Sequence, residues 1–324
     1  MSIALSEKEI APLNYFLHSY GPASMPTLHL GWVFASIVTM VFIIVAALLA
    51  VALFRKRQPA QDTGTMEGAD NGVRWVYIGT GISTCLLLAM AIYALITLNT
   101  VARPPQAPAL TLTVTGYDWW WKVEYEYDDP RLNFVTANEI HIPVGVPVLV
   151  KLKSADVIHA FWVPVLAGKT QMIPGLINRQ WLQADASGVY RGECTQYCGL
   201  QHAHMALEVV AQNPAEFQRW QTAQHRRVVP SPANNTGAGW KVFMEHCSGC
   251  HSIRGTEAIG AHAPDLTHLK SRRLIAAGTL TNTPEHRERW ITHAQEIKPG
   301  ARMPSMVLPP AELTALSAFL STLD

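Results

Sequence analysis

The hydrophobic pattern changes period several times along the chain. From Leu28 to Phe54 the positions are almost continuously apolar, and a second such run covers Val73–Leu98. At 1.5 Å per residue the first run makes about 40 Å of helix, enough to cross a hydrocarbon layer of roughly 30 Å with some tilt. A buried soluble helix of that length and uniformity would be unusual. The spacing therefore predicts a transmembrane hairpin over residues 28–103, preceded by a short tail over 1–27. That tail lacks the basic start and small-residue cleavage site of a signal peptide.

Beyond the Pro-rich break RPPQAP at 103–108 the period becomes two. ALTLTVTGYDWWWKVEYEY alternates and is rich in Thr, Val and aromatics, and further β-branched runs separated by Pro-Gly and Ser-Gly turns continue to residue 212. About 100 residues of short strands with regular turns predict a β-sandwich or barrel. Residues 213–235 read as a linker, with a short helix in NPAEFQRWQTAQH and then the Pro, Ser, Asn and Gly content of a connector. Residues 236–324 return to helical spacing, in GWKVFMEH and in an amphipathic closing helix over 311–323 that is expected to pack on it.

Composition adds two exclusions and an orientation. The net charge of +1 argues against a nucleic-acid partner. Neither apolar span carries a set of histidines able to hold haem and copper, so oxygen chemistry inside these spans is excluded. Arg55, Lys56 and Arg57 open the loop between the spans and Arg74 closes it. The positive-inside rule places that loop, residues 55–74, in the cytoplasm of a bacterium, with both termini and everything after residue 104 outside the plasma membrane.

Chemistry concentrates in two motifs. The first is GECTQYCGLQHAHM, Gly192–Met205, where Cys194 and Cys198 are separated by three residues and followed by His202 and Met205. Thiolate, imidazole and thioether on one loop are ligands that copper prefers, and His159 in SADVIHAFWVP is the candidate for a ligand from elsewhere. A disulfide and a structural zinc are the competing readings of such a cysteine pair. The methionine at fixed offset and the upstream histidine weigh against both. A mononuclear electron-transfer site uses one cysteine; two bridging thiolates can hold two coppers side by side. His204 is off the ligand spacing and reads as solvated or supporting, and Glu193 as a surface charge.

The second motif, Cys247-Ser248-Gly249-Cys250-His251, is the covalent haem attachment signal C-x-x-C-H. Two thiols bond the two haem vinyl groups and the adjacent histidine reaches the iron. Of five cysteines, four fall in the two motifs and Cys85 lies in the second span, where a small buried thiol is expected.

The pattern Cys194-x-Gln196-x-Cys198-x-x-x-His202-x-x-Met205, with His159 upstream, resembles the dinuclear copper (CuA) site of cytochrome c oxidase subunit II. The order of motifs resembles the form of that family with a fused C-terminal cytochrome c domain, as in caa-type haem–copper oxidases. The resemblance implies a cupredoxin fold over 109–212 and a class I cytochrome c domain over 236–324. It implies copper ligands His159, Cys194, Cys198, His202, Met205 and the backbone carbonyl of Gln196. Gln196 replaces the usual Glu, whose side chain helps bind a magnesium at the contact with subunit I, which puts that magnesium in doubt.

For the haem the resemblance implies Cys247 and Cys250 as attachment points and His251 and Met303 as axial ligands, with Met306 the runner-up. Ala263-Pro264-Asp265-Leu266 resembles the G-P-D-L segment whose Pro carbonyl orients the histidine. Phe243 is placed for core packing, and Trp290 for a haem propionate or for packing. Trp119, first of Trp119-Trp120-Trp121, matches an exposed tryptophan that admits electrons from a donor, although such clusters also serve packing. Asp156 matches an acidic docking residue, and equally a plain surface carboxylate. The family's acid near a proton channel is not assigned, since Glu67 and Asp70 sit in a loosely aligned loop. Implied partners are subunit I with haem a and copper B, subunit III, and a soluble or membrane-bound c-type cytochrome or other small redox donor. Implied function is electron input to oxygen reduction coupled to proton pumping; the alternative is the corresponding subunit of a copper-containing nitric oxide reductase.

Overall fold

The computed structural model describes residues 17–56, 69–227 and 237–324. The chain forms two compact units, residues 25–103 and the remainder. The first unit is a pair of helices, α1 (Met25–Phe54) and α2 (Ala69–Ala102). Both are long and apolar enough to cross a membrane. Each extends beyond its apolar run, because the flanking residues have helix-compatible propensity and nothing breaks the hydrogen-bond ladder. Their side chains are mostly exposed, including Phe42, Leu53 and Leu87, as lipid-facing helices must be. Cys85 is exposed too, where a buried thiol was expected. The two helices carry a single histidine, His29. Glu67 and the side chain of Asp70 lie outside the described residues.

The second unit begins with a β-sandwich. One sheet has the order β3 (Phe134–Ala137), β2 (Trp120–Glu126), β1 (Leu110–Tyr117), β5 (Val148–Ser154), β8 (Asn178–Leu182). The other has β4 (Glu139–Pro143), β10 (Ala206–Gln212), β9 (Gly188–Cys194), β6 (His159–Trp162), β7 (Thr170–Met172). The β1–β5 and β4–β10 pairs are parallel and the others antiparallel. Leu112, Val114, Val123, Ile140, Ile142, Val150, Phe161 and Val209 from both inner faces are fully buried between the sheets. The alternation seen in the sequence is this pleat, with every second residue facing the partner sheet. The Gly192–Met205 loop joins β9 to β10 at one end of the sandwich.

Helix α3 (Pro214–Gln224) follows, capped by the Asn213 side chain, which accepts from Glu216 N. Its Trp220 stacks on His141 and packs against Tyr125 and Phe134, so the helix covers the open edge of the sandwich. The short helix expected in the linker is α3, docked by this apolar face; residues 228–236 lie outside the described residues. The haem-motif domain contains α4 (Ala238–His246), a two-residue hairpin β11–β12 (Leu274–Ile275, Leu280–Thr281), α5 (Pro284–Thr292), the single turn α6 (Ala294–Ile297) and α7 (Pro310–Leu320). Helix α7 packs on α4, with Phe319 against Trp240 and Phe243.

Candidate copper and haem sites

Strand ends and one tight loop bring the copper candidates together. Cys194 closes β9, His159 opens β6, and Met205 precedes β10, pinned by Cys194 N donating to Met205 O at 3.0 Å. Cys194 Sγ lies 3.8 Å from Cys198 Sγ and 3.9 Å from His159 Nδ1. Cys198 Sγ lies 3.5 Å from His202 Nδ1 and 4.0 Å from Met205 Sδ, and Gln196 O lies 3.2 Å from Cys194 Sγ. Both cysteines are free thiols. All six candidates of the sequence thus converge on one buried spot through sulfur, imidazole and carbonyl atoms. Such soft donors around a sulfur pair fit copper.

The ring of His159 is fully buried, and its far nitrogen Nε2 bonds Asp156 Oδ1 at 2.8 Å. That bond directs Nδ1 at the thiols. Burial opposes charging His159, but Asp156 and Cys194 together raise its pKa to about 9. The Cys198 thiol, against the effect of burial and aided by His159, holds Cys194 low as the thiolate of the pair. Asp156 also accepts from Asp118 N at 2.8 Å. It is a support for the ligand, not the free docking carboxylate that the sequence allowed. Glu193 is exposed. His204 turns to Gln201, with Nδ1 at 2.8 Å from Gln201 Oε1. The magnesium expectation finds no support: a hard cation takes carboxylate oxygens, and Gln196 offers a neutral amide.

The haem candidates line a cavity of about 380 Å³. Phe243, Cys247, Cys250, His251, Pro264, Trp290, Met303 and Met306 all face it. Nδ1 of His251 lies 2.7 Å from Pro264 O, the geometry of an N–H donor that leaves Nε2 for a metal. Burial lowers the pKa of His251, with the Pro264 bond opposing, so the ring is neutral and able to ligate. Arg272 and Arg287 are buried in the same wall, and each leaves its Nε without a hydrogen-bond partner. A haem carries two propionates, and orphaned guanidinium donors fit them. Nothing in the sequence singled out these two arginines.

Trp119 departs from expectation. It is only 9% exposed, and together with Asp118, Trp120 and Asn138 it closes the haem cavity from the sandwich side. Its Nε1 donates to Cys198 O at 2.9 Å. Gly199, at φ +114°, allows the loop this close, since a Cβ there would meet Trp119 Cζ2 at 2.9 Å. The haem domain covers the indole that a separate donor would otherwise reach.

Comparison with known proteins agrees with this layout. Residues 130–212 match the family described as cytochrome c oxidase subunit II, periplasmic domain, and residues 237–324 match cytochrome c. A cytochrome c oxidase subunit 2 of Alkalihalophilus pseudofirmus is 31% identical over 294 residues, covering 89% of this chain and 84% of that protein. The cytochrome c oxidase subunit 2 of Bacillus subtilis is 25% identical over 292 residues, covering 84% of this chain and 81% of that protein. With a copper-type sandwich, a haem-type cavity and this extent of similarity, the chain belongs to the cytochrome c oxidase subunit 2 family, in the form that carries a fused cytochrome c domain.

Proposed function

We propose that this chain takes electrons from an external donor at its haem c site and passes them across Trp119 to a dinuclear copper site. From there they go to haem a and the haem–copper centre of subunit I, where oxygen is reduced to water with proton pumping. The observation that carries this reading is Trp119: one residue lines the haem cavity and hydrogen-bonds a carbonyl inside the copper loop.

When bound, the haem and the copper pair supply two one-electron carriers. Cys247 and Cys250 would hold the haem covalently, His251 and Met303 would ligate its iron, and Arg272 and Arg287 would meet its propionates. His159, Cys194, Gln196 O, Cys198, His202 and Met205 would hold the coppers. Burial of the thiol pair excludes water and limits rearrangement. Trp119 supplies a short bonded bridge between the two sites. Because the haem domain covers Trp119, an external c-type cytochrome or other small redox protein addresses the haem domain itself. Val157, Ile158 and Tyr197, exposed beside copper candidates in sequence, and Leu176 and Ile177, exposed between β7 and β8, suit a protein partner such as subunit I. Subunit III completes the assembly. The apolar helices anchor the chain in the inner membrane, and the Arg55–Arg57 cluster orients the hairpin with its loop in the cytoplasm.

The test is metal content and EPR on the full chain in detergent, produced with haem c maturation and supplied with copper. Two coppers per haem iron and a signal from one electron shared over both metals are expected. A single copper, or zinc, in the Cys194–Met205 loop overturns the reading.

A further inference from the structure

Lys298 is the buried lysine among the described residues, with 3% of its surface exposed. It follows the single turn α6 of the haem domain, and none of the haem-holding roles above uses it. Its Nζ donates to Trp119 O at 2.8 Å, His204 O at 2.8 Å and Ala276 O at 3.1 Å. An ammonium has three N–H donors, so each one is taken. Two of the acceptors belong to the sandwich: the bridging tryptophan, and the residue next to Met205 in the copper loop. The third is in the β11–β12 turn of the haem domain.

Packing alone does not explain a lysine here, because an apolar side chain of equal length would fill the space without desolvating a charge. Burial pulls its pKa down to about 7, with the Cys198 sulfur acting in the opposite sense. The contacts around it all cross the same boundary. Ala206 N donates to Ala277 O at 3.0 Å, and Gln201 Nε2 donates to Pro299 O at 2.8 Å. Arg273 donates from its backbone N to Glu139 Oε2 at 2.9 Å and from Nε to Glu208 Oε2 at 3.0 Å. Gly278, at φ +79°, lets the turn lie on Ala206, whose Cβ would stand 2.8 Å from a Cβ at that position.

We infer that Lys298 is a positioning residue: its ammonium seats the haem domain on the copper domain, so that electrons cross Trp119 from one standing arrangement and not through tethered encounters. The inference rests on the electron-input reading above. Each event moves one electron from the haem site to the copper site, with no bond made or broken and no atom passed by Lys298. A tether alone would keep the haem domain at high effective concentration, but each transfer would then wait for a diffusive encounter. A seated domain has already met that orientational cost.

The test uses the full chain in its assembled oxidase complex, as parent and as Lys298→Met. Haem is photoreduced by a flash and copper reduction is followed with and without glycerol. Amide hydrogen exchange is read on peptides containing Ala206 and Arg273. In the parent, transfer independent of viscosity and slow exchange at both amides are expected. In Lys298→Met, loss of bonds from a charged donor slows transfer by about tenfold or more and makes it viscosity-dependent. Exchange at Ala206 and Arg273 rises by a comparable factor, while haem absorption and copper EPR stay unchanged. Transfer in Lys298→Met within twofold of the parent, with both amides still protected, overturns the inference. So does a parent whose transfer is itself viscosity-dependent with both amides exchanging fast, a result that does not depend on the variant folding. No haem-to-copper transfer in the parent, with both amides protected, would overturn the electron-input reading and leave the seating intact.

Discussion

The two cofactor sites of this chain are built on opposite plans. The copper candidates come from one short loop plus His159, anchored by strands whose inner faces form a continuous core. The donor atoms of His159, His202 and Met205 each lie within about 4 Å of one of the two thiols, and the thiols lie 3.8 Å apart. The haem candidates surround a cavity of about 380 Å³ in a small domain, with the Nε of each of two buried arginines left without a partner in its wall. One site gathers its donors from a loop and a strand end beside a continuous core; the other is lined by residues from a whole domain. By the usual cost per volume, filling a cavity of that size with a well-packed group is worth at most about 9 kcal/mol. A domain of this size has roughly 5–15 kcal/mol in all. We therefore expect a bound haem to be a structural part of its domain, and the sandwich to keep its fold with or without copper.

Three experiments would break or sharpen that contrast. The largest effect is expected from preventing haem attachment with Cys247→Ser and Cys250→Ser together. The haem domain should lose its cooperative thermal transition while the sandwich keeps its own and still binds copper, as calorimetry and EPR would show. A second transition that persists without haem would put both domains on the same plan. Removing copper with a chelator should be milder: the sandwich transition drops in temperature but remains cooperative, and the haem absorption is unaltered. Arg272→Met comes next. It leaves one propionate partner short, so the haem midpoint potential should shift and the haem-domain transition should fall by about 1–3 kcal/mol, with no change in the copper spectrum.

The smallest effect concerns the boundary between the sites. Glu139 is buried and bonded to His141 Nε2 at 2.8 Å and to Arg273 N. Burial works to raise its pKa, but the His141 bond and charge, the Arg273 N–H and nearby Arg272 outweigh it, so the folded pKa lies below the ordinary value. A carboxylate with a depressed folded pKa stabilises fully above its unfolded pKa of roughly 4.3, and that stabilisation disappears as pH falls through the folded value. Thermal stability of the parent should therefore decline below about pH 4 more steeply than that of Glu139→Gln. Equal slopes would remove Glu139 from the acid response.

Some of this architecture is plain in the residues. The C-x-x-C-H signal, the Cys194–Met205 spacing and the apolar runs are local patterns, and local patterns survive in one dimension. The three tryptophans were harder to read. Trp121 is core, packed edge-on to Phe161, while Trp119 and Trp120 face the haem cavity. Nothing in the sequence says that another domain lies over them, so an exposed indole was the natural expectation. Asp156 likewise looked like a surface carboxylate until His159 was seen to turn onto it.

The sequence by itself determined which donor groups the chain can offer, because residue identity and spacing are covalent facts: two thiols, two imidazoles and a thioether suited to copper, and two thiols with an adjacent imidazole suited to haem. Only the tertiary structure decided how the two sites meet. Lys298 lies 179 residues from Trp119, and Arg273 lies 134 from Glu139. A lysine before Pro-Gly reads as a solvated charge, since lysines are rarely buried. It becomes a buried interdomain contact because carbonyls from three separate segments converge on one ammonium, and such convergence exists only after the chain has folded.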